Sequence, residues 1–302
     1  MTTSLHTPSL RRTLAVLAAG VMSSALLIAP TSSEAAPSKA RSQRVSTWKI
    51  ASKATITPGV MMYTKGAQCT ANFVYTDAAG NVYVGYAAHC AGKGAATDTN
   101  GCEVASLPLG TPVSFVKGGS IVSGGTKLGS GTLAYSSWLT EKRLGTTDPA
   151  TCAYNDLALV KVSARDVAKV NPSVPFYGGP SGIDTNGTSG GDRVYSYGNS
   201  SLRGGLALLS PKFGYSLGDV AADDGWSHPV YTLTPGIPGD SGSGFMTAEG
   251  KAIGTLSTVA VTPLPLSNQI GDLAKELAFA RAHSGIRGLQ LTKGTVRFSS
   301  SL

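Results

Sequence analysis

The sequence predicts an all-β protein that carries one C-terminal α-helix. The chain has 38 glycines and 16 prolines in 302 residues, with 41% hydrophobic and 14% charged residues, which is typical of a turn-rich globular β protein. Short β-like runs separated by turn signals follow one another from Val60 onward. Residues 268–283 have the apolar spacing of a helix instead.

Residues 1–35 have the pattern of a secretory signal peptide. Arg11 and Arg12 provide a basic start, residues 13–29 are almost wholly apolar, and small residues around Ala35 offer a cleavage site. A membrane anchor is the alternative, but the apolar segment is interrupted and falls short of the roughly 20 residues that a span needs. The arginine pair would also fit twin-arginine export. We expect a secreted, extracellular protein without a membrane span after signal removal.

The rest of the chain divides into a short polar segment and two β-rich parts. Residues 36–58 are polar and rich in small residues, which indicates a linker or a short pro-segment. Residues 59–170 make up the first β-rich part. A stretch rich in Pro and Gly, residues 171–191, opens the second part, which comprises residues 171–302.

Both parts contain several predicted strands. Residues 77–81 separate two apolar runs and predict a hairpin, while the continuous apolar run 157–162 predicts a buried strand. The helix is predicted with Asn268 as its N-cap and Gly285 as its stop. The predicted strands are residues 69–75, 82–87, 111–116, 121–123, 132–135, 157–162, 194–197, 206–209, 230–233, 244–246 and 252–261.

Charge and cysteine content exclude several classes of function. The formal net charge is +8, but the basic residues are scattered without aromatic interleaving, which favours solubility over nucleic-acid binding. Four cysteines in an exported chain predict two disulfides, for which three pairings exist. The His89-Cys90 pair lacks the second, spaced ligand pair of a zinc site, so we expect no metal.

A glycine- and serine-rich turn provides the first candidate for catalysis. In Gly239-Asp240-Ser241-Gly242, the glycine before the serine allows a turn in which two backbone N–H groups point at one spot. Gly239 and Ser241 are the natural donors. An ordinary turn between strands is the alternative interpretation.

A serine hydroxyl needs a base, and the base needs an orienting partner. His89 lies where an apolar strand ends; its rivals in the mature chain are His228 and His283, the latter at the end of the predicted helix. Asp156 leads into a buried strand, where a carboxylate is costly unless it accepts hydrogen bonds. An imidazole N–H could donate such a hydrogen bond to the Asp156 carboxylate. The alternative role of Asp156 is to cap a turn before the strand.

Taken in order, three motifs resemble those of the chymotrypsin-like (trypsin-fold) serine proteases of the secreted bacterial type. The matching segments are Ala87-Ala88-His89-Cys90, Asn155-Asp156-Leu157-Ala158-Leu159 and Gly239-Asp240-Ser241-Gly242. The resemblance extends over roughly residues 60–283.

The resemblance implies two antiparallel six-stranded β-barrels, a C-terminal helix and an active site between the barrels. His89 would act as general base and then acid, Asp156 would orient it, and Ser241 would be the nucleophile. Gly239 and Ser241 would stabilise the oxyanion through their N–H groups, and Ser257 would support the triad from below. Asp240 would pair with a freed N-terminal amine or with an internal arginine, Arg193 or Arg203.

The resemblance also implies both disulfides and part of the specificity. Cys69–Cys90 matches the family bridge beside the histidine, which leaves Cys102–Cys152. Pro235 occupies the position where trypsin-like members keep a carboxylate at the pocket base, so a preference for Lys or Arg is not expected. Val259 lies near a pocket wall and suggests a narrowed pocket for small or medium apolar side chains.

These features predict a secreted serine endopeptidase that hydrolyses protein or peptide substrates through an acyl-enzyme intermediate. We expect a monomer without a cofactor. Two alternatives stay open: a serine hydrolase that acts on esters or on one narrow processing target, and a catalytically silent binding or adhesion module on the same fold.

Overall fold

The computed structural model describes residues 48–95, 98–120, 122–260 and 267–301; the predicted signal peptide and residues 36–47 lie outside it. Fifteen strands and three α-helices occur within the described residues. The helices are α1 Ser137–Leu144, α2 Pro149–Tyr154 and α3 Leu273–His283. The strands are β1 Met61–Thr64, β2 Ala67–Thr70, β3 Val74–Thr76, β4 Val82–Ala87, β5 Pro112–Lys117, β6 Thr126–Ser136, β7 Leu157–Val162, β8 Gly182–Ile183, β9 Arg193–Tyr197, β10 Pro211–Ser216, β11 Ser227–Thr232, β12 Gly244–Thr247, β13 Lys251–Ala260, β14 Ser267–Asp272 and β15 Gln290–Leu291.

The first sheet closes into a six-stranded barrel. Its strand order is β15-β3-β4-β7-β6-β5-β1-β2, and only Ala71, Asn72 and Phe73 separate β2 from β3. Because β2 and β3 are two halves of one bent strand, β2 on β1 and β3 on β4 complete the ring. The short strand β15 pairs with β3 on the outside of this ring.

The second sheet closes in the same way. Its order is β12-β9-β10-β11-β14-β13-β8, and a further pairing of β12 with β13 completes six antiparallel strands. The short strand β8 adds to β13 in parallel from outside. The prediction of two six-stranded barrels and a C-terminal helix is confirmed.

Three apolar clusters hold these elements together. One fills the first barrel around Val84, Phe115 and Val160, and a smaller one fills the second barrel around Phe245 and Ile270. The third joins the two barrels and α3, with Phe73 and Leu157 on one side and Tyr195 and Leu277 on the other. The site region between the barrels therefore rests on a packed interface.

Three of the predicted elements differ from the structure in their extent or type. The helix begins at Leu273 rather than near Asn268, because residues 267–272 pair with β11 and β13 and Asp272 is the N-cap. Residues 207–209 form a 3₁₀ turn instead of a strand, and the strand of that region is β10. Of the predicted strand 121–123, Ile121 lies outside the described residues, and Ser120 and Ser123 form only an isolated bridge.

The segment predicted as a linker is packed where the structure describes it. Ile56 is fully buried in the first core and forms a bridge with Val170, and the Lys49 amide donates to the Val170 carbonyl at 3.1 Å. At least residues 48–58 therefore belong to the folded body. No helix among the described residues is long and apolar enough to cross a membrane.

Candidate active site

His89 and Asp156 meet at the ends of neighbouring strands. His89 lies in a 3₁₀ turn directly after β4, and Asp156 directly precedes β7, which pairs with β4. The His89 ring Nδ1 lies 2.6 Å from Asp156 Oδ2, and the His89 backbone N–H donates to Oδ1 at 2.8 Å. Because the carboxylate can only accept, Nδ1 carries the proton and Nε2 is left as the basic nitrogen.

Asp156 is buried and fully provided with donors. Ser257 Oγ donates to its Oδ2 at 2.7 Å from strand β13, which is the position predicted for triad support. Its own backbone N–H donates to Glu276 Oε1 of α3 at 3.0 Å. Asp156 is 1% exposed, whereas the His89 side chain is 17% exposed and thus accessible from solvent.

The turn that carries Ser241 is held beside the same two strands. The Ser241 carbonyl accepts from Thr70 N–H at 2.8 Å, and Gly242 N–H donates to Leu256 O at 2.7 Å, next to Ser257. Gly242 has a φ of +88°, and a Cβ there would lie 2.6 Å from the Ala87 nitrogen. Only glycine therefore lets Ser241 approach the end of β4, where His89 lies.

The structure brings the three predicted side chains to one region but does not join them completely. Among the described residues, the Ser241 hydroxyl forms no hydrogen bond with the His89 ring. Such hydrogen bonds are often long without a substrate and tighten in the Michaelis complex.

Two backbone N–H groups beside Ser241 are free. The N–H groups of Asp240, Gly242 and Ser243 donate to Ile237 O, Leu256 O and Asp240 O. Those of Gly239 and Ser241, the predicted pair, donate to no acceptor within the described residues. Gly239 has a φ of +98°, which favours glycine, so the turn that exposes these donors depends on that residue.

Asp240 lies in a buried charge cluster. Arg203 reaches both its carboxylate oxygens, at 2.5 and 2.6 Å, so Arg203 rather than the exposed Arg193 is its internal partner. Lys212 Nζ, missed at the sequence level, lies 3.0 Å from Oδ2 and also donates to Thr234 O and Pro235 O. Burial outweighs the attraction of Asp240 and lowers the pKa of Lys212.

The predicted pocket residues are described in part. Pro235 is half-buried, and its carbonyl accepts from Lys212 Nζ at 3.0 Å and Arg203 Nη2 at 3.2 Å. The two cations that contact the Pro235 carbonyl are therefore the same two that pair with the Asp240 carboxylate. The backbone of Val259 lies in β13 opposite Asn268, but its side chain lies outside the described part of the chain.

Both disulfides are present in the pairing that the resemblance implies. Cys69–Cys90 links β2 to the turn of His89, and Cys102–Cys152 links the loop after that turn to α2. Cys69, His89 and Cys90 are close enough together to suggest a metal site. The disulfide leaves these cysteines no thiolate, so the three residues do not form a ligand set.

No family model and no curated protein matches the chain. Among solved structures, it is similar to Protease A of Thermobifida fusca, with 19% identity, a TM-score of 0.48, and coverage of 79% of this chain and 99% of that chain. It is also similar to a Nocardiopsis protease, with 18% identity, a TM-score of 0.44, and coverage of 78% and 98%. A third similar structure is Cellulomonas bogoriensis chymotrypsin, with 17% identity, a TM-score of 0.42, and coverage of 79% and 98%.

Proposed function

We propose that the chain is a serine endopeptidase in which Ser241, His89 and Asp156 act together. The observation that carries this proposal is the 2.6 Å contact between Asp156 Oδ2 and His89 Nδ1, which fixes the tautomer of the imidazole. Beside it lies the turn of Ser241, in which the N–H groups of Gly239 and Ser241 are free. Such an arrangement supplies a base with a free nitrogen, a nucleophile and an oxyanion site in one place.

The proposed reaction proceeds through two tetrahedral adducts. Ser241 Oγ attacks the scissile carbonyl carbon while His89 Nε2 takes the hydroxyl proton, and the resulting oxyanion accepts from the Gly239 and Ser241 N–H groups. His89 then gives its proton to the leaving amine as the C–N bond breaks, which leaves an ester on Ser241. Water repeats the sequence on that ester, and the product acid and the free serine are released.

The charged groups near Pro235 bear on which substrate side chain is accepted. Lys212 and Arg203 donate to the Pro235 carbonyl and both pair with Asp240, so the Asp240 carboxylate is already neutralised and offers no free charge to a cationic substrate side chain. We propose that residues other than Lys or Arg are accepted before the scissile bond. The apolar preference inferred from Val259 is part of the same proposal.

We also infer that the protein is exported. The N-terminal 35 residues have the signal-peptide pattern, and the two disulfides suit an oxidising compartment.

The proposed function predicts that Ser241→Ala strongly reduces the hydrolysis of casein and of peptides varied at the residue before the scissile bond. Ser241→Ala and His89→Ala should each lower kcat by several orders of magnitude, and the double variant should be no worse than either. A fluorophosphonate probe should label the wild type and the Ser189→Ala control, whose serine is exposed, but not Ser241→Ala.

Three results would argue against parts of this proposal. If the probe fails to label Ser241, a catalytically silent binding module is favoured. Labelling with ester hydrolysis alone would favour the esterase alternative. A dominant Lys or Arg preference would contradict the interpretation of the pocket.

A further inference from the structure

Gln68 of the first barrel is bonded to two loops of the second barrel. Its Nε2 donates to Gly239 O at 3.0 Å and Asn199 O at 3.2 Å, residues that lie 171 and 131 positions away in sequence. The same nitrogen reaches Cys69 O at 3.0 Å, and Oε1 accepts from Ser201 N–H at 2.9 Å. One side-chain amide therefore ties β2 both to the turn before Ser241 and to residues 199–201.

The Gly239 carbonyl is held by a second donor from the same strand. Thr70 Oγ1 donates to Gly239 O at 2.8 Å and accepts from Asn199 N–H at 3.1 Å. A trans peptide directs its C=O and N–H to opposite sides. With the Gly239 carbonyl held by Gln68 and Thr70, the Asp240 N–H of the same peptide points the other way and donates to Ile237 O at 2.9 Å.

The preceding peptide plane is held by Ser200. Its hydroxyl donates to Pro238 O at 2.6 Å, and Ser200 is 2% exposed. The Gly239 N–H of the same peptide consequently points away from Ser200, and it is one of the two free donors beside Ser241. The Ser200 hydroxyl also accepts from Leu202 N–H at 3.1 Å, which fixes its own direction.

A glycine at this place needs such restraint. With φ at +98°, Gly239 lies in a region where glycine moves between conformations at little cost, so the 238–239 peptide could rotate. Rotation would replace the Gly239 N–H with the Pro238 carbonyl and remove a donor from the oxyanion site.

We propose that Gln68, Thr70 and Ser200 are positioning residues that hold the Gly239 N–H in its oxyanion-binding direction before a substrate arrives. The proposal rests on the proposed serine protease function. The three side chains act on the reacting atoms only through the backbone of residues 238–240.

Ser200→Ala and Gln68→Ala test this role by steady-state kinetics. Each should lower kcat about tenfold to 100-fold, since part or all of one oxyanion donor is lost, while KM changes less than about twofold. Ser200→Thr keeps a hydroxyl and should restore most of the rate. Gln290→Ala, an exposed glutamine on β15, is the matched control and should behave as wild type.

Affinity for a peptide trifluoromethyl ketone separates positioning from general damage. The tetrahedral adduct of this inhibitor carries the oxyanion, so its affinity should fall in proportion to kcat/KM across the variants. Wild-type kcat and wild-type inhibitor affinity in both alanine variants would overturn the inference and leave the proposed function intact. If the wild type hydrolyses substrate no faster than Ser241→Ala, both the inference and the proposed function are overturned. If Ser200→Ala also lowers the melting temperature, the test is the kcat of Ser200→Thr. A kcat close to that of the wild type supports the inference, and a kcat as low as that of Ser200→Ala contradicts it.

Discussion

Asp156 is the residue at which the electrostatics of the site converge. Glu141 and Glu276 are both fully buried nearby, and burial, reinforced by the charge of Asp156, raises their pKa values. The pKa of Glu141 rises to about 9 and that of Glu276 lies well above its usual range. The Glu141 carboxyl is therefore protonated at neutral pH, and the raised pKa of Glu276 favours its neutral form as well, so the negative charge beside His89 is concentrated on Asp156.

The pH dependence of activity follows from the surroundings of His89. Burial lowers the pKa of His89, but the charge and hydrogen bond of Asp156 more than compensate, so the net pKa lies above 6.5. Only the neutral ring can accept the Ser241 proton, so activity should be lost as the pH falls through this raised value. The acidic limb of kcat/KM against pH should be centred above 6.5, as should an NMR titration of the His89 ring. A midpoint below 6.5 in both measurements would contradict the assignment.

Sequence reasoning found the residues with local motifs and missed those without them. His89, Asp156 and Ser241 each have a recognisable flanking segment, and the structure brings all three to one region. Gln68 and Ser200 act on Gly239 and Pro238 through contacts between distant segments, so no motif marks them. The choice of Arg203 over Arg193 likewise required the folded backbone.

Among the elements, β11 and β14 are joined by a buried histidine between two carboxylates. His228 Nδ1 lies 2.6 Å from Asp219 Oδ1, and Nε2 lies 2.9 Å from Asp272 Oδ2. Both ring nitrogens must donate, so the ring is an imidazolium. Asp272 also caps α3 by accepting from Lys275 N–H at 2.7 Å, and the ion pair thus connects a loop, two strands and a helix.

This connection predicts a stability that declines at alkaline pH. Burial lowers the pKa of His228, but the hydrogen bonds and charges of Asp272 and Asp219 outweigh it, and the net pKa is above 6.5. A histidine whose pKa is higher in the folded than in the unfolded protein stabilises the fold. This stabilisation is complete below the pKa of the unfolded state and is lost as the pH rises through the pKa of the folded state. The melting temperature of the wild type should therefore exceed that of His228→Gln by the largest margin near about pH 6, and this difference should shrink toward about pH 9. His283→Gln is the control, and a difference that is constant with pH would refute the prediction.

Element boundaries were harder to predict than element types. Ile270 fits the helical spacing with Leu273 and Leu277, but its burial comes from the core of the second barrel. Apolar spacing alone cannot show that the strand becomes a helix at Asp272. The unpredicted helix α2 did have a signal, since Asp148 as N-cap followed by Pro149 is a typical helix start.

At the scale of the whole molecule, the C-terminal tail joins the two barrels. Strand β15 pairs with β3 of the first barrel, and Leu289 is 3% exposed. Farther along, the Phe298 ring packs against Tyr195 at 5.4 Å, and Gly179 N–H donates to Val296 O at 2.9 Å. Sequence patterns did not assign this tail, because its contacts are spread over both barrels.

Removing the tail should destabilise the fold without altering the site. Truncation after His283 exposes the surroundings of Leu289 and Phe298 and should cost about 3 kcal/mol or more, measured by urea unfolding. Truncation after Ser299, which removes the exposed Ser300 and Ser301 together with the last residue, should change nothing measurable. Equal stability of both truncated proteins would show that the tail contributes no net stability.

The cluster around Asp240 has a consequence for how the protein becomes active. Arg203 and Lys212 already occupy the carboxylate, so no newly cut chain end is needed to neutralise it. Under the proposed function, activity therefore does not depend on a cleavage that frees an amine to pair with Asp240.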